Sequence, residues 1–161
     1  MSADAPSPFP AAWQPALAHS RFLRQLLDAR PAVADWLTAH AGETLDAGAM
    51  RAWLDAAGIG DETTLKAALR GLRQRAMALL IVRDLAGAAP LAEIVETMTA
   101  LADATTNFAL DFLHRQLAAQ HGEPLDAAGK PQRLMIVGMG KLGGRELNVS
   151  SDVDYIFVYP E

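Results

Sequence analysis

Along the stretch ETTLKAALRGLRQRAMALLIVRDLAG, apolar side chains return every three or four residues, at Leu65, Leu69, Leu72, Leu79 and Val82. That is the period of an α-helix with one apolar face. Asp61 stands ready as an N-cap and Gly87 as a stop. Pro90 suits the opening turn of a second helix. There Leu91, Ile94, Val95, Met98, Leu101, Phe108, Phe112 and Leu117 repeat the pattern up to Gly122. Two long helices joined by a short turn are expected to pack antiparallel.

Upstream, residues 15–60 are rich in alanine, leucine and arginine, and breaks at Pro31, Gly42 and GIGD (58–61) divide them into short helices. The first ten residues hold three prolines and two serines. Such a composition does not repay the entropy of ordering, so a loose tail is expected over residues 1–14. Downstream, GEPLDAAGKPQ (122–132) is a run of turn residues and reads as a linker. Beyond it, RLMIVGM (133–139) is a short apolar run suited to a buried strand, and VDYIFVY (153–159) is rich in β-branched and aromatic residues. The expected fold class is α+β, with a helical region over 15–121 and a strand–turn–strand unit over 133–161.

Composition narrows the classes of function. A chain of 161 residues, 51% hydrophobic, is long enough for one domain with a sizeable core. A net charge of -5 leaves no broad basic surface for a nucleic-acid backbone. There are no cysteines, hence no disulfides and no thiolate metal site. MSADAPSPFP lacks the basic start and apolar core of a secretory signal, and no apolar run approaches the length of about 18 residues expected of a membrane span. A cytoplasmic protein without a membrane partner is the expectation.

The chemistry concentrates in GKLGGRELNVSSDVDY (140–155). Gly138, Gly140 and Gly143 spell GxGxxG after a strand, with Glu161 placed as a ribose-binding acid, so a dinucleotide site is one reading. Its weakness is length: a parallel crossover takes about a dozen residues or more, and the polar NVSSD segment is too turn-like to complete one. A phosphate loop of the GxxxxGK[ST] type fails, because Lys141 precedes Gly143 and Gly144. The other reading rests on Asp152 and Asp154, two apart on an expected strand and so on one face. Adjacent carboxylates repel unless a hard divalent cation lies between them. Upstream, the glycine turn and a short helix expected at GRELN could bring amides to phosphate oxygens. Metal beside phosphate is the layout for nucleotidyl transfer.

A glycine turn followed at about ten residues by Asp-x-Asp resembles the polymerase-β-like nucleotidyltransferase superfamily, and VGMGKLGGRELNVSSDVDYIFVYPE resembles its glutamine synthetase adenylyltransferases. LRGLRQRAMALLIVRDLAG and ALADATTNFALDFLHRQL are similar to the paired helices that precede the nucleotidyltransferase core, so the likeness spans roughly residues 69–161. Lys141 stands where the wider superfamily has serine, and Leu79 where a basic residue is expected.

The resemblance implies Mg²⁺ on catalytic Asp152 and Asp154, with Gly140, Lys141, Gly143, Gly144 and Ser151 contacting nucleotide and phosphate. It implies glutamine synthetase in its adenylylated form, and the PII signalling protein, as partners. It further implies that residues 133–161 are the beginning of a domain whose third carboxylate lies on a later strand. ELNVSSDVDYIFVYPE looks more like the adenylyl-removing unit than the adding unit, which stays as the alternative, as does a non-catalytic docking module. Arg145, Ser150, Glu146, His114 and His121 read as solvated or structural groups, and Trp13, Trp36 and Trp53 as core or docking aromatics.

Overall fold

The computed structural model describes residues 9–159. A 3-10 turn at Ala11–Trp13 leads into α1 (Gln14–His19), α2 (Arg21–Ala29), α3 (Pro31–His40) and α4 (Ala47–Asp55). The long helices α5 (Glu62–Leu85) and α6 (Leu91–His121) come next, then β1 (Met135–Gly138), a single helical turn α7 (Gly140–Gly143) and β2 (Tyr155–Val158). The mainly helical α+β class expected from the sequence is the one observed.

Side-chain caps mark the starts of α2, α4 and α5. Ser20 Oγ accepts the Leu23 amide at 3.1 Å and Asp46 Oδ1 accepts the Ala49 amide at 2.8 Å. At Asp61 the cap is reciprocal: its carboxylate accepts the Thr64 amide at 2.7 Å, while Thr64 Oγ1 accepts the Asp61 amide at 3.0 Å. The Thr64 amide thereby holds the exposed Asp61 carboxyl below its ordinary pKa. Gly87 and Gly122, both at positive φ, close α5 and α6 where the sequence placed their ends.

The helical region reaches into the tail expected over residues 1–14. Trp13 is buried, packed with Leu17, Leu23, Leu27 and Leu37, so ordered structure begins before residue 14. Residues 1–8 lie outside the described residues.

Helix α5 is a wall shared by two cores. Leu65, Ala68, Leu72, Ala76 and Leu80, spaced three or four apart, face α4 and α6 and meet Met50, Leu54, Ile94, Met98, Leu101, Phe108 and Phe112. Further along, Ala78, Leu79 and Val82 turn to α1–α3. Leu79 is therefore committed to apolar packing, which accounts for the lack of a basic residue there. Two apolar positions of the α6 pattern do not join a core, since Leu91 is 75% exposed and Leu117 55% exposed. The buried cation of this region is Arg83. Its Nε donates to Glu93 Oε1 at 2.7 Å and its Nη2 to Oε2 at 3.1 Å, clamping the end of α5 to the start of α6.

The linker is tied to itself. Asp126 Oδ1 accepts the amides of Ala128 and Lys130, each at 2.9 Å, and Leu125 bridges to Pro131. It delivers the chain into β1 beside α6, where Arg133 pairs with Asp111.

Strands β1 and β2 form an antiparallel hairpin, with Met135 opposite Val158, Ile136 opposite Phe157, Val137 opposite Ile156 and Gly138 opposite Tyr155. The dinucleotide reading requires consecutive parallel strands joined by a crossover helix, so this register overturns it. Ile136, Tyr155 and Phe157 face a groove of about 930 Å³ above α5 and α6. Among the described residues, no helix is long and apolar enough to cross a membrane.

Candidate functional site

The glycines of the turn have steric reasons that the motif alone does not reveal. A Cβ on Gly138 would lie 2.8 Å from Leu142 Cγ, so the bare backbone there admits Leu142, which is buried in the α4–α6 core. Gly140 has φ +54, a conformation that L side chains rarely adopt. A Cβ on Gly143 would stand 2.6 Å from the Gly138 carbonyl oxygen, inside contact distance of backbone that cannot swing aside. The three glycines let the chain leave β1, reverse and press back on it.

The helical turn is GKLG at Gly140–Gly143, and the short helix expected at GRELN is absent. Arg145 has φ 57, which a right-handed helix cannot continue. Its guanidinium lies 3.8 Å from Asp103 of α6 in an exposed pair. Within the turn, the Gly143 amide donates to Met139 O at 3.2 Å and the Gly144 amide to Gly140 O at 3.0 Å. Those two amides serve the reversal itself. The first amides of a helical turn, here residues 140–142, have no helical carbonyl to reach and are the donors an anion would meet.

From the turn the chain runs through Leu147, which is buried with Leu142 in the helical core and pins the loop at a second point. Asn148 then gathers the two serines after it. Its Oδ1 accepts the Ser150 amide at 3.2 Å and the Ser151 hydroxyl at 2.7 Å, and its backbone oxygen accepts the Ser151 amide at 3.2 Å. Lys141 Nζ approaches Ser151 Oγ at 3.5 Å, joining the two ends of the loop across ten residues.

Asp152 and Asp154 lie in the segment just before β2 and not within it as expected, because the ladder of paired residues starts at Tyr155. The Met139 amide still donates to Asp154 O at 2.9 Å, which fixes the aspartates against the glycine turn. Asp152 lines the groove and Asp154 does not. Both are exposed, and neither carboxylate forms an ion pair or hydrogen bond among the described residues. Two unneutralised carboxylates of hard oxygen, with the Ser151 hydroxyl beside them, suit a divalent cation that takes one or two protein carboxylates and completes its shell with water and phosphate. Among the described residues no group of three or more His, Cys, Asp or Glu converges, so the pair has no third carboxylate here.

The structure thus brings together Gly140, Lys141, Gly143, Gly144, Ser151, Asp152 and Asp154. His114, read as a solvated group, pairs with Glu123 at 2.9 Å. Sequence reasoning passed over Asn148, whose signal was the N-x-S spacing of an Asx turn. It also passed over Leu142 and Leu147, the two leucines of the polar loop, and over Thr106, whose Oγ1 lies 2.7 Å from Tyr155 Oη.

Paired helices lead through a glycine turn to Asp-Val-Asp at an antiparallel hairpin, an α+β arrangement. The chain belongs to the glutamate-ammonia ligase adenylyltransferase family, whose model matches residues 12–161. It is 49% identical over its full length to a bifunctional glutamine synthetase adenylyltransferase/adenylyl-removing enzyme of Aromatoleum aromaticum, covering 17% of that protein. A namesake from Bordetella pertussis is 45% identical over 89% of the chain and 16% of its own length. One from Thioalkalivibrio sulfidiphilus is 51% identical over 71% of the chain and 12% of its own length. The chain therefore spans about one sixth of the first two of these relatives.

Proposed function

We propose that this chain is part of an enzyme that removes AMP from a tyrosine of glutamine synthetase by phosphorolysis, with Asp152 and Asp154 at the reacting phosphates. The observation that carries the reading is the pair of exposed, uncompensated carboxylates held against a glycine turn that also presents Lys141. Membership of the family and the names of the relatives agree with it. ELNVSSDVDYIFVYPE favours the removing unit over the adding one by its resemblance.

In the reaction, an oxygen of inorganic phosphate bonds to the α-phosphorus of tyrosyl-AMP as the bond from that phosphorus to the tyrosine oxygen breaks. ADP leaves, and the proton of the attacking phosphate ends on the tyrosine hydroxyl. Lys141 and the first amides of the glycine turn bind and orient phosphate oxygens. Asp152 and Asp154 would hold Mg²⁺, which supplies neutralisation of the charge that builds on those oxygens. Glutamine synthetase and the PII signalling protein are the protein partners of this reading, and the cytoplasm its compartment.

The test uses a protein spanning the full length of the relatives. Asp152→Asn should abolish phosphate-dependent release of ADP from adenylylated glutamine synthetase, while AMP addition from ATP continues. Loss of addition with intact release would assign the segment to the adding unit instead. Unchanged Mn²⁺ binding after Asp152→Asn and Asp154→Asn together would overturn the metal role.

A further inference from the structure

We infer that Asn148 is a positioning residue that sets the Lys141 ammonium through Ser151, a relay that deepens the phosphate role proposed above and rests on it. A serine hydroxyl has one proton to give and two lone pairs to offer. Here the proton goes to Asn148 Oδ1 at 2.7 Å. The oxygen of Ser151 is left as an acceptor, and the group 3.5 Å from it is Lys141 Nζ, an exposed cation that forms no ion pair among the described residues. The direction of the first bond thus decides the second. With its proton committed, Ser151 does not donate to a phosphate; it holds the lysine that does.

Asn148 can act in this way because it is itself anchored. It is half-buried and adjoins Leu147, which is 2% exposed in the helical core. The Ser150 amide donates to the same Oδ1 at 3.2 Å, and the Ser151 amide to Asn148 O at 3.2 Å, so the orientation of the carboxamide and the path of the chain are fixed together. A long, flexible lysine loses less entropy on meeting an anion if its head is already restrained. One of its three protons is taken by Ser151 and two are left for phosphate oxygens. The ligand class is inorganic phosphate or the phosphate of a nucleotide.

The relay is read directly from the lysine. The lysines of the chain are Lys66, Lys130 and Lys141. Reductive ¹³C-methylation keeps their charge and gives each a resolved NMR signal. Asn148→Ala and Ser151→Ala should each move the Lys141 signal, and the double variant should move it no further than the larger single one, with Lys66 and Lys130 unmoved as a check of folding. A Lys141 signal that stays in place in Asn148→Ala, or shifts that add, would overturn the relay. In a protein of the relatives' full length, Asn148→Ala should raise KM for phosphate about fivefold with kcat little changed, equivalent to one modest hydrogen bond. Asn148→Asp, which keeps an acceptor oxygen, should recover most of that loss. If the Lys141 signal moves as expected but KM for phosphate does not, the relay stands and the phosphate role of the site falls.

Discussion

The hydroxyls of Thr106 and Tyr155 meet at 2.7 Å across 49 residues of sequence. Thr106 belongs to α6 and Tyr155 opens β2, one residue after Asp154, so a single bond joins the helical region to the strand next to the aspartates. A net hydrogen bond of this kind contributes about 1 kcal/mol. Tyr155→Phe should therefore lower the unfolding free energy by about that amount in urea titration. Thr106→Val should cost a similar amount, and the two together less than their sum, because the same bond is lost in both. Strict additivity would mean that the hydroxyls do not meet in solution.

The Arg83–Glu93 pair predicts a larger effect. Their side chains are 10% and 17% exposed, and Arg83 also donates to the carbonyls of Ala41 and Ala88. Glu93→Ala would leave a buried guanidinium without its counter-charge, a defect worth about 3 kcal/mol or more. The loss should be nearly independent of added salt, since water and ions have little access. A salt-sensitive loss below about 1 kcal/mol would place the pair among ordinary surface bridges.

Gly143→Ala separates packing from ligand binding. The new methyl would sit 2.6 Å from the Gly138 carbonyl oxygen, so β1 and the glycine turn must part. A cost of about 1–3 kcal/mol is expected, as for other overpacked sites. Amide spectra should show it as shifts at Gly138 and Leu142 without any phosphate present. Gly144→Ala, whose Cβ would lie 3.5 Å from Gly140 O, should be milder. If Gly143→Ala leaves the free protein unperturbed, the glycine is kept for a ligand and not for chain reversal.

Legibility in the sequence tracks the range of the forces involved. The ends of α5 and α6 were readable from Asp61, Gly87, Pro90 and Gly122, because a cap or a stop acts within a few residues. The strands were visible as apolar runs, and Asp152 and Asp154 as a pair, since both signals are local. The same locality misled at GRELN, where Arg145, Glu146 and Leu147 are good helix formers, yet the reversal before them throws Arg145 to positive φ. No local pattern could tell that α5 serves two cores, or that Leu91 and Leu117 serve none, because periodicity marks a face and not its neighbour.

The direction of the hairpin was likewise beyond the motif. GxGxxG is compatible with a parallel crossover or an antiparallel return, and the pairing of Gly138 with Tyr155 settles it. The glycines then take their meaning from atoms they approach: Leu142 at Gly138 and the Gly138 carbonyl at Gly143. Asn148 gains its place because Leu142 and Leu147 are drawn into the helical core and fold the polar loop between them. The sequence by itself determined which residues could carry chemistry and which segments could be helix or strand, through spacing and capping that act over one or two turns. Only the tertiary structure decided which of those residues stand together, because that depends on close contacts between parts of the chain that burial of apolar surface brings side by side.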